Sequence, residues 1–141
     1  MDTTSFRPRW LSGLLVLATI ALGLASRRWP GLFPAVLEKY PGDALWAQMV
    51  YWLAAIVLPG ASVRRLAAAA LAVAWGVEFS QLWHPPWLDA IRATTPGHLV
   101  LGSAFGVADL LAYAIGIALV AGLDALVHAA RRRWRGLHSA P

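Results

Sequence analysis

The chain has 141 residues, of which 59% are hydrophobic and 13% charged; soluble domains carry roughly 25% charged residues, so the balance points to a membrane protein. Cysteine is absent, which excludes disulfides, thiolate chemistry and cysteine-based zinc sites. The net charge of +5 gathers at segment ends rather than on one face, which argues against a nucleic-acid partner.

A spanning helix needs about 17 to 25 mainly apolar residues, and four candidates follow one another. Residues 1–9 form a basic segment with Arg7 and Arg9, and the first candidate span covers about 10–26, closed by Arg27 and Arg28. The same stretch also reads as a signal peptide, with a Leu/Ala run and a small-residue site at Gly23-Leu24-Ala25. Against cleavage, Arg27 and Arg28 follow at once and Trp10 opens a long apolar run. The second span, 43–58, starts after Pro41-Gly42 and stops at Pro59-Gly60, with Asp43 placed as a helix N-cap. The third, 66–83, stops before Pro85-Pro86, because proline lacks the N–H that the ladder needs. Its alanines, from Ala67 to Ala70 with Ala72 and Ala74, offer a small-residue face for close helix packing. The fourth span covers 104–128, and residues 131–141 make a basic tail whose Arg131-Arg132-Arg133-Trp134-Arg135 block reads as a juxtamembrane anchor.

The expected fold is therefore an all-α membrane protein, a bundle of four transmembrane helices. Orientation follows from the basic residues. With the N-terminus cytoplasmic, Arg7, Arg9, Arg64, Arg65, Arg131, Arg132, Arg133 and Arg135 lie inside, against Arg27, Arg28, Lys39 and Arg92 outside. That asymmetry places both termini inside. Trp29, Phe33, Tyr40, Trp83 and Trp87 then form an aromatic belt at the outer interface.

Polar groups converge at one depth under this topology. At a rise of about 1.5 Å per residue, Glu78 lies roughly 18 Å along the third span from Leu66, in its outer half. Gln81 shares the face of Glu78 one turn on, and Asp109 opens the fourth span with Tyr113 one turn deeper. Arg27, Arg28, Asp43 and Arg92 reach the same level. An unpaired intramembrane charge is expensive, so Glu78 is expected to face the bundle interior and to pair with Arg27, Arg28 or Arg92. Each residue also has a plainer reading: Arg27 and Arg28 as snorkelling interface residues, Gln81 and Tyr113 as interhelical hydrogen-bond partners, His84 and His98 as solvated loop histidines. Asp124, near the inner end, is expected to pair with Arg64, Arg65 or Arg131.

The sequence holds no Gly-x-Ser-x-Gly elbow, His-Glu-x-x-His or P-loop. Glu78, His84, His98 and Asp109 match no compact ligand spacing, so neither a metal nor a cofactor is expected. Glu78 and Asp109 would serve as an acid–base pair only if their carboxyls approach each other around an open cavity.

The series Gly42-Asp43-Ala44-Leu45-Trp46-Ala47, Glu78-x-x-Gln81-Leu82, Arg92 and Leu101-Gly102-x-x-Phe105-x-x-x-Asp109-Leu110-x-x-Tyr113-x-x-Gly116, with Gly23 to Arg28 ahead of it, resembles the DUF2809 group of small bacterial membrane proteins. The resemblance spans about residues 13–125 and implies a four-helix protein of the bacterial inner membrane with no established activity. More distantly, Glu78, Gln81, Arg92, Asp109 and Gly116 follow the order of a motif in the VanZ-like superfamily, with Tyr113 in place of that family's asparagine and Arg92 set farther from Asp109. Three functions are open at this point. The polar cluster binds a polar or anionic lipid or envelope precursor, or it acts as an enzyme on a lipid-linked substrate, or the chain is a structural subunit of a membrane assembly.

Overall fold

The computed structural model describes residues 7–37 and 39–138, with side chains as far as residue 135; the outermost parts of the expected N-terminal segment and basic tail lie outside the described residues. Among the described residues there are six α-helices and no strand: α1 (Arg9–Arg28), α2 (Tyr40–Val57), α3 (Val63–Ser80), α4 (Pro86–Arg92), α5 (Thr95–Leu101) and α6 (Val107–His138). Two 3₁₀ turns, Pro30–Leu32 and Ala35–Leu37, lie between α1 and α2.

The helix ends follow local chemistry. Ser62 caps α3, its hydroxyl accepting from the Arg65 N–H, so the helix starts three residues before Leu66. It ends at Ser80, with Gln81 as C-cap, well short of Pro85-Pro86. Pro86 instead opens α4, where its missing N–H costs nothing. In the same way Pro41 sits in the first turn of α2, which begins at Tyr40. Asp43 is thus a first-turn residue and Lys39 holds the N-cap position, a correction to the N-cap expected at Asp43. The connection after α3 is two short helices, and α6 continues helically through the arginine block.

The four long helices run alternately up and down. The α1 end meets the α2 start through Arg27 and Asp43, and the α3 end meets the α6 start through Glu78 and Gly106. At the opposite end Arg7 reaches Pro59, Ala61 and Asp124. These two ends are called the Glu78 end and the Arg7 end below. Helix α2 is central, packed on α1, α3 and α6.

Each helix buries one stripe. On α3 it is Leu66, Ala70, Ala74 and Glu78, all fully buried and spaced at four residues, one face of a helix. Helix α2 contributes Ala47, Tyr51 and Ala55, and α6 contributes Tyr113, Ile117 and Val120. The small-residue face expected on α3 is therefore real at Ala70 and Ala74, while Ala68 and Ala72 point outward. A close approach of two long helices lies elsewhere, at Gly116. A Cβ there would lie 2.8 Å from the Ala44 Cα and nearer still to its carbonyl oxygen. Replacing Gly116 with alanine should cost about 1–3 kcal/mol through overpacking, read as a lowered melting temperature in detergent. Gly122→Ala, which meets open space, is the control and should keep it or raise it, since alanine favours a helix interior over glycine.

The outer surface is apolar. Leu14 and Leu17 on α1, Val73 on α3 and Leu111, Leu119 and Leu123 on α6 are all exposed. The interior holds Arg7, Asp43, Glu78, Arg92, Asp109 and Asp124. Among the described residues two helical stretches, Arg9–Arg28 and Val107–Arg135, are long and apolar enough to cross a membrane. Helices α2 and α3 carry Asp43, Arg64, Arg65 and Glu78 and are not counted with them.

Candidate functional site

Glu78 is 0% exposed, and its position on the buried stripe of α3 aims it at the start of α6. Three groups donate to it. The Gly106 N–H reaches Oε1 at 2.7 Å, while the Tyr113 hydroxyl and the Gln81 amide reach Oε2 at 2.9 and 3.1 Å. All three are neutral, and no ion pair among the described residues includes Glu78. The arginine partner expected at Arg27, Arg28 or Arg92 is thus replaced by hydrogen bonds and by the N-terminus of α6, whose dipole favours negative charge. The physical reason is local. Gly106 directly precedes α6, so its N–H is free to leave the helix ladder.

Gln81 extends this latch by donating to the Leu101 carbonyl at 2.9 Å. It can do so because Gly102 ends α5 with φ +65°, and a Cβ there would lie 2.5 Å from the Gln81 Nε2. Phe79 stacks on Phe105 at 5.7 Å alongside.

The other expected residues split into three groups. Asp109 accepts from Lys39 Nζ at 2.7 Å. Lys39 is raised above its usual range: burial pushes it down, and the bond to Asp109 and the charges of Asp109, Asp43 and Glu78 outweigh that. Asp43 faces Arg27 at 3.7 Å, while its Oδ2 is buried without a partner, as is the Trp46 indole N–H. Arg28 is exposed and joins none of these groups.

Arg92 stands apart, only 4% exposed. Its guanidinium donates to the Trp83 and Ser80 carbonyls at 2.8 and 2.6 Å and to Asp89 at 3.2 Å, so it clamps the corner between α3 and α4. Asp89 also meets His84 at 3.1 Å. The His84 hydrogen bond first, and then Arg92, hold the Asp89 carboxyl below its usual range. His84 is exposed, as expected, but paired, and His98 is exposed but lies on α5 rather than in a loop.

The Arg7 end carries a second polar cluster. Asp124 accepts from Arg7 Nε at 2.9 and 3.2 Å and from the Tyr51 hydroxyl at 2.6 Å, with His128 Nε2 at 3.1 Å. Arg7, rather than Arg64, Arg65 or Arg131, is the counter-ion. The backbone of Arg7 is fixed to Pro59 and its guanidinium to the Ala61 carbonyl, which brings the charge under the bundle, whereas Arg64, Arg65 and Arg131 are exposed.

Two clefts open near the Glu78 end. An apolar one of about 250 Å³ lies between α1, α2 and α5, lined by Ile20, Leu24, Leu45, Met49 and Val100 among others, with Arg27 also on its wall. A polar hollow of about 590 Å³ lies between α4 and α5, with Asp89, Thr95, His98 and Ser103 on its wall. Neither Glu78 nor Asp109 lines either cleft; Glu78 bonds to Gly106 and Tyr113 and Asp109 to Lys39. Among the described residues no group of three or more histidines, aspartates or glutamates is arranged to hold a metal ion.

Sequence reasoning missed Lys39, Gly106, Tyr51 and Arg7. Tyr51 shares a face with Asp43 two turns away, which marks it as inward-facing; no local pattern marks Gly106 as a donor to a residue 28 positions earlier.

The family model described as a protein of unknown function (DUF2809) matches residues 32–117. This range holds all of α2 to α5 and the part of α6 with Asp109 and Tyr113. No solved structure matches the chain.

Proposed function

The chain belongs to the DUF2809 family, and from that premise we propose that it is a multi-pass protein of the bacterial inner membrane that binds an amphiphilic lipid or envelope component. In this reading α1, α2, α3 and α6 all span the bilayer, with the Arg7 end cytoplasmic and the Glu78 end outside. The apolar exterior and polar interior support the bilayer placement. The excess of arginine at the Arg7 end supports the orientation.

The apolar cleft between α1, α2 and α5 carries the binding proposal. Its apolar wall suits an acyl chain, and Arg27, nearly half exposed, supplies a cation for an anionic or polar head. Asp43 beside it orients the guanidinium. Glu78, Gln81, Tyr113, Asp109 and Lys39 fix the ends of α2, α3 and α6 that form and support the cleft. A lipid occupant needs no catalytic group, which agrees with carboxylates that reach neither cleft.

Native mass spectrometry after mild detergent extraction tests this. Wild type should retain lipid, and Val100→Trp, which fills the cleft from an exposed position, should retain several-fold less at unchanged yield. Equal retention by the two proteins would remove the cleft as the site.

A further inference from the structure

The two clefts are neighbours, separated by one helix. Helix α5 has seven residues, and its faces differ in chemistry. Pro96, Leu99 and Val100 line the apolar cleft, while Thr95, His98 and Leu99 line the polar hollow. Leu99 is common to both walls. An amphiphile seated in the apolar cleft thus has a polar compartment beside it, on the far face of α5.

The chemistry of the hollow selects among head groups. Its one arginine, Arg92, commits both terminal nitrogens to the carbonyls of Ser80 and Trp83 and to Asp89, and its Nε is buried, so it offers little to an external anion. Asp89 places a carboxylate on the wall that remains 43% exposed after pairing with Arg92 and His84, and a carboxylate repels phosphate while accepting well from hydroxyls. Thr95, His98 and Ser103 add hydroxyls and an imidazole, which both donate and accept; all three side chains are exposed. A carboxylate set among neutral groups that donate and accept is complementary to a polyol.

We infer that the hollow between α4 and α5 is a head-group site for a hydroxyl-rich, sugar-like or polyol moiety of the amphiphile whose tail occupies the cleft between α1, α2 and α5. This rests on the amphiphile reading above and adds the identity of the head.

The test uses two lipids of equal charge and identical acyl chains, phosphatidylinositol and phosphatidylethanol, which differ in the hydroxyls of the head. Purified, delipidated full-length protein is offered an equimolar mixture and the retained lipid is read by native mass spectrometry. Phosphatidylinositol should be retained about three- to tenfold better, the effect of one or two net hydrogen bonds. In Thr95→Val/His98→Leu/Ser103→Ala that preference should vanish while retention of phosphatidylethanol stays at the wild-type level, which also shows that the variant folds. Equal retention of the two lipids by wild type overturns the head-group site and leaves the amphiphile reading standing. A preference that survives in the triple variant overturns it too. Retention of neither lipid overturns both.

Discussion

Arg7→Ala should destabilise the folded chain by about 3–5 kcal/mol, the effect of leaving one member of a buried ion pair without its counter-charge. Arg7 and Asp124 are both nearly inaccessible and meet at 2.7 Å. The Tyr51 hydroxyl remains on Asp124 in the variant, and it carries no charge to balance the carboxylate. The guanidinium also holds the Ala61 carbonyl, so the α2–α3 connection loosens with it. The double variant Arg7→Met/Asp124→Leu should recover only part of the loss, because apolar replacement of both partners removes the uncompensated charge but leaves the Tyr51 hydroxyl and the Ala61 carbonyl unmet. Denaturation in detergent followed by tryptophan fluorescence reads all three proteins. A single-variant loss below about 1 kcal/mol would place the pair in the class of exposed ion pairs and refute its structural role.

Glu78→Leu is the second large effect, and its cause is different. The variant leaves the part-buried Gly106 N–H, the buried Tyr113 hydroxyl and one bond of the buried Gln81 amide without an acceptor. Each buried donor left unmet costs about 1–3 kcal/mol, so the loss should be several kcal/mol and should appear as reduced yield of monodisperse protein. Glu78→Gln retains one carbonyl oxygen but turns an NH₂ toward at least one donor, and should fall between wild type and Glu78→Leu. Equal stability of Glu78→Gln and wild type would show that the carboxylate's second oxygen is dispensable. Asp109→Asn should do less than Glu78→Leu, since its Lys39 partner is more than half exposed and water can replace the lost bond.

The long helices were legible because their signals are local. Apolar runs bounded by Pro-Gly pairs and arginines placed all four, and spacing of three or four residues put Glu78 with Gln81 and Asp109 with Tyr113. The inward orientation of Glu78 followed from the cost of exposing a carboxylate to an apolar surface. Its partner did not follow. An argument from charge looks for charge, and the structure answers with a backbone N–H at Gly106, a type of donor that every residue except proline carries. Arg7 escapes for a related reason. It precedes the first helix among basic residues that mark a boundary, whereas its backbone bond to Pro59 folds it beneath the bundle. The small helices α4 and α5 escaped because seven residues show too few turns for a periodic pattern.

Chain synthesis proceeds from the N-terminus, and the two polar clusters share a dependence on the last helix. Arg7 and Tyr51 wait for Asp124, which is made 117 and 73 residues later, and Glu78 waits for Gly106 and Tyr113. Helices α1 to α3 can assemble earlier through their apolar stripes, with the Arg7 guanidinium held only by the Ala61 carbonyl and Glu78 only by Gln81. The bonds that close both clusters therefore form only once α6 is in place. A chain that ends before Gly106 carries an acid at one end and a base at the other whose partners across the bundle are still to be made.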